Sequence, residues 1–544
     1  MIYSFPYLTA GRCGNIMRTR KLSTYASRIL GFLCCNEAAV FLMLLILGSF
    51  FRSFLLGSFP FGLNQDEASA GYEAFSLLRS GMDRCGNPWP VLFVSWGSGQ
   101  NVLYSYLTIP FVALFGLSEY SVRIVSALFG AAALPIFYFF ARRAGGKRLA
   151  FLALFILAVN PWHIMISRWG LESNLLPFFL LLGIDLFERA QDKPVCLVWA
   201  AFAFGLSLYC YGTAFFFLFF FGIFCFIFLL RHPIKKKYIL LSLLAFLITA
   251  LPITATQLIN VLNLPQLTVL GLTLPRLTET RQAVTTLFSS SAPLAQAADN
   301  LLGFCRILLT GSDGLLFNAV KPFGLFYLFG LPLSLLGFLV LVFRFSQRTI
   351  NRQDVLMLSA LAASFLSSLF ISPNINRMNM AYLPILYLNA VGLDWIIGKY
   401  RPVAFLSFAV YWLSLFLFLS NYFTAYSAQL SQLFFQGLGS ALEYAATIPA
   451  DREYVTDKVN MPYIFVLFYD EIPPETFTSS ATYENPNGAF RIVRSFGNYQ
   501  FGWEEPDPSG VYVVYQSELA QFDARWTPVS FGQFSVLVPG RFNA

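Results

Sequence analysis

Apolar residues recur in this chain in unbroken runs of about twenty, the length an α-helix needs to cross the hydrocarbon core of a bilayer. One run carries six phenylalanines between Phe215 and Phe221, which suits a helix surface facing lipid. Hydrophobic residues make up 57% of the 544, and charged residues only 12%. Soluble chains carry about a quarter charged residues, and a soluble core cannot absorb this much apolar surface. A soluble enzyme, a disordered chain and a disulfide-stapled secreted domain are therefore excluded. The runs are continuous rather than alternating, which argues against a transmembrane β-barrel.

The runs fall at roughly 38–58, 121–140, 149–166, 174–188, 196–213, 215–230, 238–257, 323–343, 355–372, 380–397 and 402–421. They predict a polytopic all-α membrane protein of about eleven transmembrane helices. The run at 174–188 is short enough for a tilted or re-entrant helix, and 102–117, with Pro110, reads as an interfacial helix. The first run is too long for a signal-peptide core and is read as a retained helix. Lys and Arg cluster in short segments between runs: Arg142, Arg143, Lys147 and Arg148; Arg231 and Lys235 to Lys237; Arg344, Arg348 and Arg352; and a basic N-terminus. By the positive-inside rule this puts the N-terminus in the cytoplasm. An odd helix count then puts the C-terminal region outside. The net charge of +8 is thus explained by topology, not by nucleic acid.

Three domains are expected: a cytoplasmic N-terminus at 1–37, a transmembrane module at 38–421 with large outer loops at 59–120 and 258–322, and an extracytoplasmic α/β domain at 422–544. The last holds nearly half of the 28 acidic residues and strand-like runs at Gly510 to Tyr515 and Phe534 to Val538. Of the eight cysteines, only Cys85 and Cys305 fall in the outer loops, a pairing the sequence permits without requiring. His163 and His232 are the only histidines, and no Gly-x-Ser-x-Gly, Walker or Rossmann pattern is present. A serine hydrolase, a His-rich zinc site and nucleotide-sugar chemistry have no visible basis.

The chemistry concentrates in the first outer loop, which opens with Asn64-Gln65-Asp66-Glu67-Ala68. Two adjacent carboxylates near the lipid boundary can supply a general base, because partial desolvation raises proton affinity. They equally suit the cap and first turn of a helix over 68–79. This element, the Gly81-Met82-Asp83 stretch and the Ser121-Val-Arg123 to Gly130 segment together resemble the GT-C membrane glycosyltransferases. The similarity is best over about 60–190 and points to glycosyltransferase family 39, the protein-mannosyltransferase and aminoarabinose-transferase group.

The resemblance implies transfer of a sugar from a polyprenyl-phosphate carrier to a protein, lipid or glycan acceptor on the outer face of a bacterial plasma membrane. It maps the presumed base onto Asp66, with Glu67 beside it, and a second acidic residue onto Glu172. A local pair of Arg168 with Glu172 at i, i+4 is the plainer reading of that segment. Trp162 and Trp169 are expected as interfacial anchors. The departing lipid phosphate needs cations, and Arg168, Arg276, Arg281, Lys321 and Arg377 are candidates. A divalent cation held by Asp66, Glu67 and Glu172 is compatible with an all-carboxylate donor set. The alternatives are a transporter or lipid-linked-sugar flippase, which would need charged groups within the bilayer, and a non-catalytic assembly protein. Asp185 and Asp394 fall near inner helix ends, and Arg52 is expected to snorkel outward.

Overall fold

The computed structural model describes residues 36–279, 290–488 and 490–539. Helix α1 (Glu37–Ser53) starts behind Asn36, whose side chain accepts from the Ala39 amide at 3.2 Å. Helix α2 (Gln65–Ser80) follows, and a short antiparallel pair, β1 (Leu92–Phe93) with β2 (Gln100–Asn101), leads into α3 (Leu103–Phe115). The 40-residue α4 (Glu119–Ala158) breaks at Gly145–Gly146, where Gly146 has a φ of 76°. Two predicted runs thus form two helical segments joined at a glycine pair. Next come α5 (Pro161–Ile166), a 3-10 turn over Glu172–Leu175, α6 (Leu176–Arg189), α7 (Cys196–Ser207), α8 (Ala214–Arg231) and α9 (Lys236–Val261).

The second large loop has structure of its own. It holds the hairpin β3 (Leu267–Val269) and β4 (Leu272–Leu274), then α10 (Pro293–Thr310). Helices α11 (Gly330–Ser346), α12 (Arg352–Ser368), α13 (Tyr382–Lys399) and α14 (Val403–Asn421) complete the bundle. The last does not stop at 421 as expected. It runs through a π turn at Tyr422–Tyr426 into α15 (Ser427–Leu433).

Among the described residues, five helices are long and apolar enough to cross a membrane: Glu119–Ala158, Ala214–Arg231, Lys236–Val261, Asn379–Lys399 and Val403–Leu433. Leu103–Phe115, Cys196–Ser207 and Gly330–Ser346 are shorter and apolar. The chain is a multi-span membrane protein, but eleven spans are not reached on these criteria. The reason is local: Gly145–Gly146, Asn160–Pro161 and the 3-10 turns divide apolar sequence into shorter pieces. Lipid-facing positions behave as the phenylalanine run suggests. Phe219 and Phe226 are 66% and 63% exposed, whereas Phe217 on the opposite face of α8 is buried.

Two acids near helix ends are paired with arginines. Asp185 accepts from Arg143 and forms an ion pair with Arg189 at 2.9 Å, while Asp394 pairs with Arg148 at 2.5 Å. Arg52 does not snorkel. It is fully buried, bonding the carbonyls of Gly48 at 2.6 Å and Leu157 at 2.8 Å and lying 2.7 Å from Nδ1 of His163. Trp162 and Trp169 are not interfacial anchors either: both are buried, Trp162 donating to Asn379 at 3.1 Å. Cys85 and Cys305 are both free thiols.

The C-terminal domain starts with α16 (Leu438–Ala445) and contains β5 (Glu453–Val455), α17 (Pro462–Tyr469), α18 (Pro474–Ser480), β6 (Thr482–Tyr483), β7 (Val493–Phe496), β8 (Tyr499–Phe501), β9 (Val511–Tyr515), β10 (Trp526–Phe531) and β11 (Phe534–Pro539). The expected strands at 510–515 and 534–538 are β9 and β11. The sheet order is β10-β11-β9-β5-β8-β7-β6, with β5 parallel to both β8 and β9 and the remaining pairs antiparallel. The domain is seated on α2 and the start of α4: the hydroxyl of Tyr72 donates to the Ile472 carbonyl at 2.7 Å, and Tyr469 donates to Glu119 at 2.9 Å.

Candidate active site

Helix α2 fixes the front of the site. Its N-cap is Asn64 rather than the expected carboxylates, and the Asn64 side chain accepts from the Asp66 amide at 2.9 Å. Glu67 closes the reciprocal half of this capping box, accepting from the Asn64 amide at 3.2 Å. The two neighbouring acids then part company, because each helical residue turns the side chain by about 100°. Asp66 stays half-buried. Glu67 points inward and is fully buried.

The inward carboxylate of Glu67 is saturated. It accepts from Nε of Arg123 at 2.8 Å, from Nη2 of Arg123 at 3.1 Å and from the Gly170 amide at 2.8 Å, besides its cap bond. Arg123 spends its remaining donors on the carbonyls of Pro60 at 2.8 Å and Gly62 at 2.6 Å. One buried ion pair thereby joins the loop after α1, the start of α2, the start of α4 and the loop after α5. Gly170 is required there, since a Cβ would lie 2.7 Å from Val122 and 3.1 Å from the Tyr104 hydroxyl.

The same contact ties the Glu172 segment to the start of α2. Asp66 and Glu172 stand one and two residues from the two ends of the Glu67–Gly170 bond. Glu172 is half-buried, opens the 3-10 turn and accepts from the Asn101 amide of β2. Strand β2 is itself held on α2, where Ser69 donates to Gln100 at 2.9 Å. On its other side the turn meets the segment before α13: Asn379 donates to the Ser173 carbonyl at 3.2 Å. That segment carries Arg377, half-buried, with Nη1 donating to the Ser372 carbonyl at 3.0 Å. Asp66, Glu172 and Arg377 are thus linked through two hydrogen bonds at one end of the bundle, the end that bears the C-terminal domain.

The other candidates lie elsewhere. Arg168 is fully buried and caps the carboxyl end of α1, donating to the carbonyls of Phe51 at 3.0 Å and Phe54 at 2.8 Å. Its guanidinium also lies 5.0 Å from the ring centre of Phe423. Arg276 is exposed after β4, and Lys321 is exposed before a cis Pro322. Arg281 is outside the described residues. The cation cradle of Asp66, Glu67 and Glu172 does not form, because Arg123 and the cap occupy Glu67. Among the described residues no group of three or more His, Cys, Asp or Glu is placed to hold a metal.

Sequence reasoning missed the roles of Arg123, Glu73 and Arg84. The last two form a second buried pair at 3.4 Å behind α2, and Arg84 also donates to Ser69 at 2.7 Å. Burial pushes the Glu73 carboxyl up to about 7 against the pull of Arg84. Arg123 was visible within its motif but carried no sign of its partner. The Gly81-Met82-Asp83 stretch is a helix stop and turn: Gly81 caps α2 with a φ of 70°, and Asp83 accepts from the amides of Cys85 and Asn87.

The chain has a helical membrane body, acidic loops at one end and a further domain on that same end, a fold of the GT-C type. It is similar to proteins of the aminoarabinose-transferase and protein-mannosyltransferase type. The family model for dolichyl-phosphate-mannose-protein mannosyltransferase matches residues 100–255. ArnT from Cupriavidus metallidurans bound to undecaprenyl phosphate superposes with a TM-score of 0.52 at 13% identity, covering 92% of this chain and 97% of that one. Its apo form gives 0.52 at 15% identity, with 92% and 98% covered. At the sequence level, the YkcB protein of Bacillus subtilis (strain 168), which carries a mannosyltransferase name, is 33% identical over 103 residues. That match spans 19% of this chain and 14% of YkcB.

Proposed function

We propose that this protein is an inverting glycosyltransferase that moves a sugar from a polyprenyl-phosphate donor to an acceptor at the outer face of a bacterial plasma membrane. The observation that supports this reading is the Glu67–Gly170 bond, which ties the segment of Asp66 to that of Glu172 within a fold similar to that of ArnT. Asp66 takes the proton from an acceptor hydroxyl. The hydroxyl oxygen attacks the anomeric carbon as the bond to the lipid phosphate breaks, a single displacement that inverts that carbon. Glu172 orients the acceptor or the sugar. Arg377, with Arg276 and Arg281 from the 258–322 loop, meets the charge growing on the departing phosphate. Glu67 and Arg168 act as positioning residues instead, since their polar atoms are committed inside the protein.

The topology that goes with this reading has eleven crossings, counting the shorter helices, with residues 1–37 in the cytoplasm and the C-terminal domain outside. The donor matches what the ArnT crystal was bound to, a polyprenyl phosphate. The test is release of free polyprenyl phosphate by protein in liposomes, supplied with a panel of polyprenyl-phosphate sugars. Wild type is expected to release it, and Asp66→Asn to fall by at least about a hundredfold, in the range of a lost general base. Release that survives in Asp66→Asn moves the base to Glu172. No release from any donor, with folded protein and varied acceptors, overturns the transferase.

A further inference from the structure

A cavity lined by residues of the 452–505 region lies in the C-terminal domain, apart from Asp66 and Glu172. It is an open cleft of about 1330 Å3. This exceeds the ~300–1,000 Å3 of a small-molecule site. The cleft opens at the carboxyl ends of β5 and β8. Strand β5 is flanked by its two parallel partners, β8 and β9, which come later in the chain and lie on opposite sides. Such a switch point parts the loops that leave neighbouring strands and leaves a crevice between them. Here the parted loops are 456–461 after β5 and 502–505 after β8, and both line the cleft.

The lining combines a fixed aromatic surface with polar groups of both signs. Trp503, half-buried, is held edge-on against Tyr512 at 5.5 Å, and Tyr454 stacks on the same Tyr512 at 4.5 Å. Asp457, Lys458, Glu504 and Arg494 are exposed around them. A polyanion would meet the carboxylates, and an apolar lipid would strip water from all of these groups without replacing its hydrogen bonds. A neutral polyhydroxylated chain satisfies both kinds of surface. Its C–H faces lie on the aromatic rings, and its hydroxyls donate to carboxylates and accept from Arg and Lys.

The cleft is also coupled to the candidate active site through one strap of the first loop. The Arg491 amide, at the cleft's rim, donates to the Trp96 carbonyl at 2.7 Å, and Phe490 pairs with Gly97. Four residues beyond Gly97, Asn101 donates to Glu172. We propose that this cleft binds a neutral glycan chain of several residues. That the bound glycan is the acceptor rests on the transferase reading above; the binding itself does not.

Calorimetric titration of the full-length protein in lipid nanodiscs tests this. The probes are linear hexasaccharides of β-1,4-linked N-acetylglucosamine, of α-linked mannose and of β-linked glucose, with a glycerol-phosphate oligomer and a neutral decapeptide for comparison. At least one hexasaccharide is expected to bind. Trp503→Ala should weaken it by about tenfold, or about 1.4 kcal/mol. Trp503→Phe should keep most of the affinity, and Asp66→Asn should leave it unchanged. The proposal is overturned if no hexasaccharide binds folded protein, if affinity survives Trp503→Ala combined with Asp457→Ala, or if only the phosphate oligomer or the peptide binds. Polyprenyl phosphate release without glycan binding would sink the cleft and keep the transferase. Glycan binding without release from any donor would do the reverse.

Discussion

Asp66 and Glu67 are adjacent acids with opposite fates, and the difference is open to measurement. Glu67→Gln leaves the Arg123 guanidinium buried without its counter-charge. Breaking a buried pair from one side costs about 3–5 kcal/mol. The unfolding midpoint of the purified protein should therefore drop sharply for Glu67→Gln and stay near wild type for half-buried Asp66→Asn, while both lose transfer. Equal midpoints would mean that the Glu67–Arg123 pair does not hold the loops together. Gly170→Ala tests the same contact sterically. With Val122 2.7 Å from the added Cβ, the loop must shift, at about 1–3 kcal/mol. Activity should fall with it, because Glu172 moves too. None of this pairing was legible beforehand: Arg123 lies 56 positions from Glu67, and no local spacing links them.

At the scale of elements, α4 depends on its glycine pair. Gly146 combines a φ of 76° with a ψ of −165°, a region that only glycine occupies comfortably, and nothing lies within 4 Å of where its Cβ would stand. Gly146→Ala is therefore a test of backbone conformation alone, expected to cost about 1–3 kcal/mol. The break redirects the second half of the helix, ending at the Asn160 cap of α5 and so at the Arg168–Glu172 loop. A lowered midpoint with reduced transfer is the expected outcome, and an unchanged protein would show that the break is not needed. Helix positions were readable from apolar runs, and so were β9 and β11. Helix ends were not. Asn64, and not Asp66 or Glu67, caps α2, and α14 continues past 421 because the π turn at Tyr422–Tyr426 keeps the backbone coiled.

The whole molecule carries a pH signature in its C-terminal domain. Burial, with Asp470 nearby, pushes the Glu453 carboxyl up to about 8, and burial raises Asp470 to about 6. Both carboxyls hold their protons more tightly folded than unfolded. Their contribution to stability is therefore present at low pH and lost as pH rises through the folded values, between about pH 4 and 8. Glu453→Gln replaces the buried acid with a neutral group of the same shape. It should raise the midpoint by a few degrees (~1 kcal/mol or more) at pH 8 and leave it unchanged at pH 4.5. Parallel pH profiles for the two proteins would refute this reading of Glu453. Because α17 and the loop after it rest on α2, loosening of this domain at high pH should be felt at the mouth of the candidate site.

The sequence by itself determined that this chain lives in a membrane, where its helices run and that a strand-rich domain follows them, because hydrophobic periodicity is a local property. It also drew attention to Asp66, Glu172 and Arg377 through short motifs. Only the tertiary structure decided what each charge does. It turned Glu67 inward to Arg123 and spent Arg168 on the carbonyls at the end of α1. It buried Arg52 against His163, and it tied the segments of Asp66 and Glu172 together through the Glu67–Gly170 bond. In a low-dielectric interior a charged group must find partners wherever the fold supplies them. Those partners lie tens to hundreds of residues away, beyond the reach of any pattern along the chain.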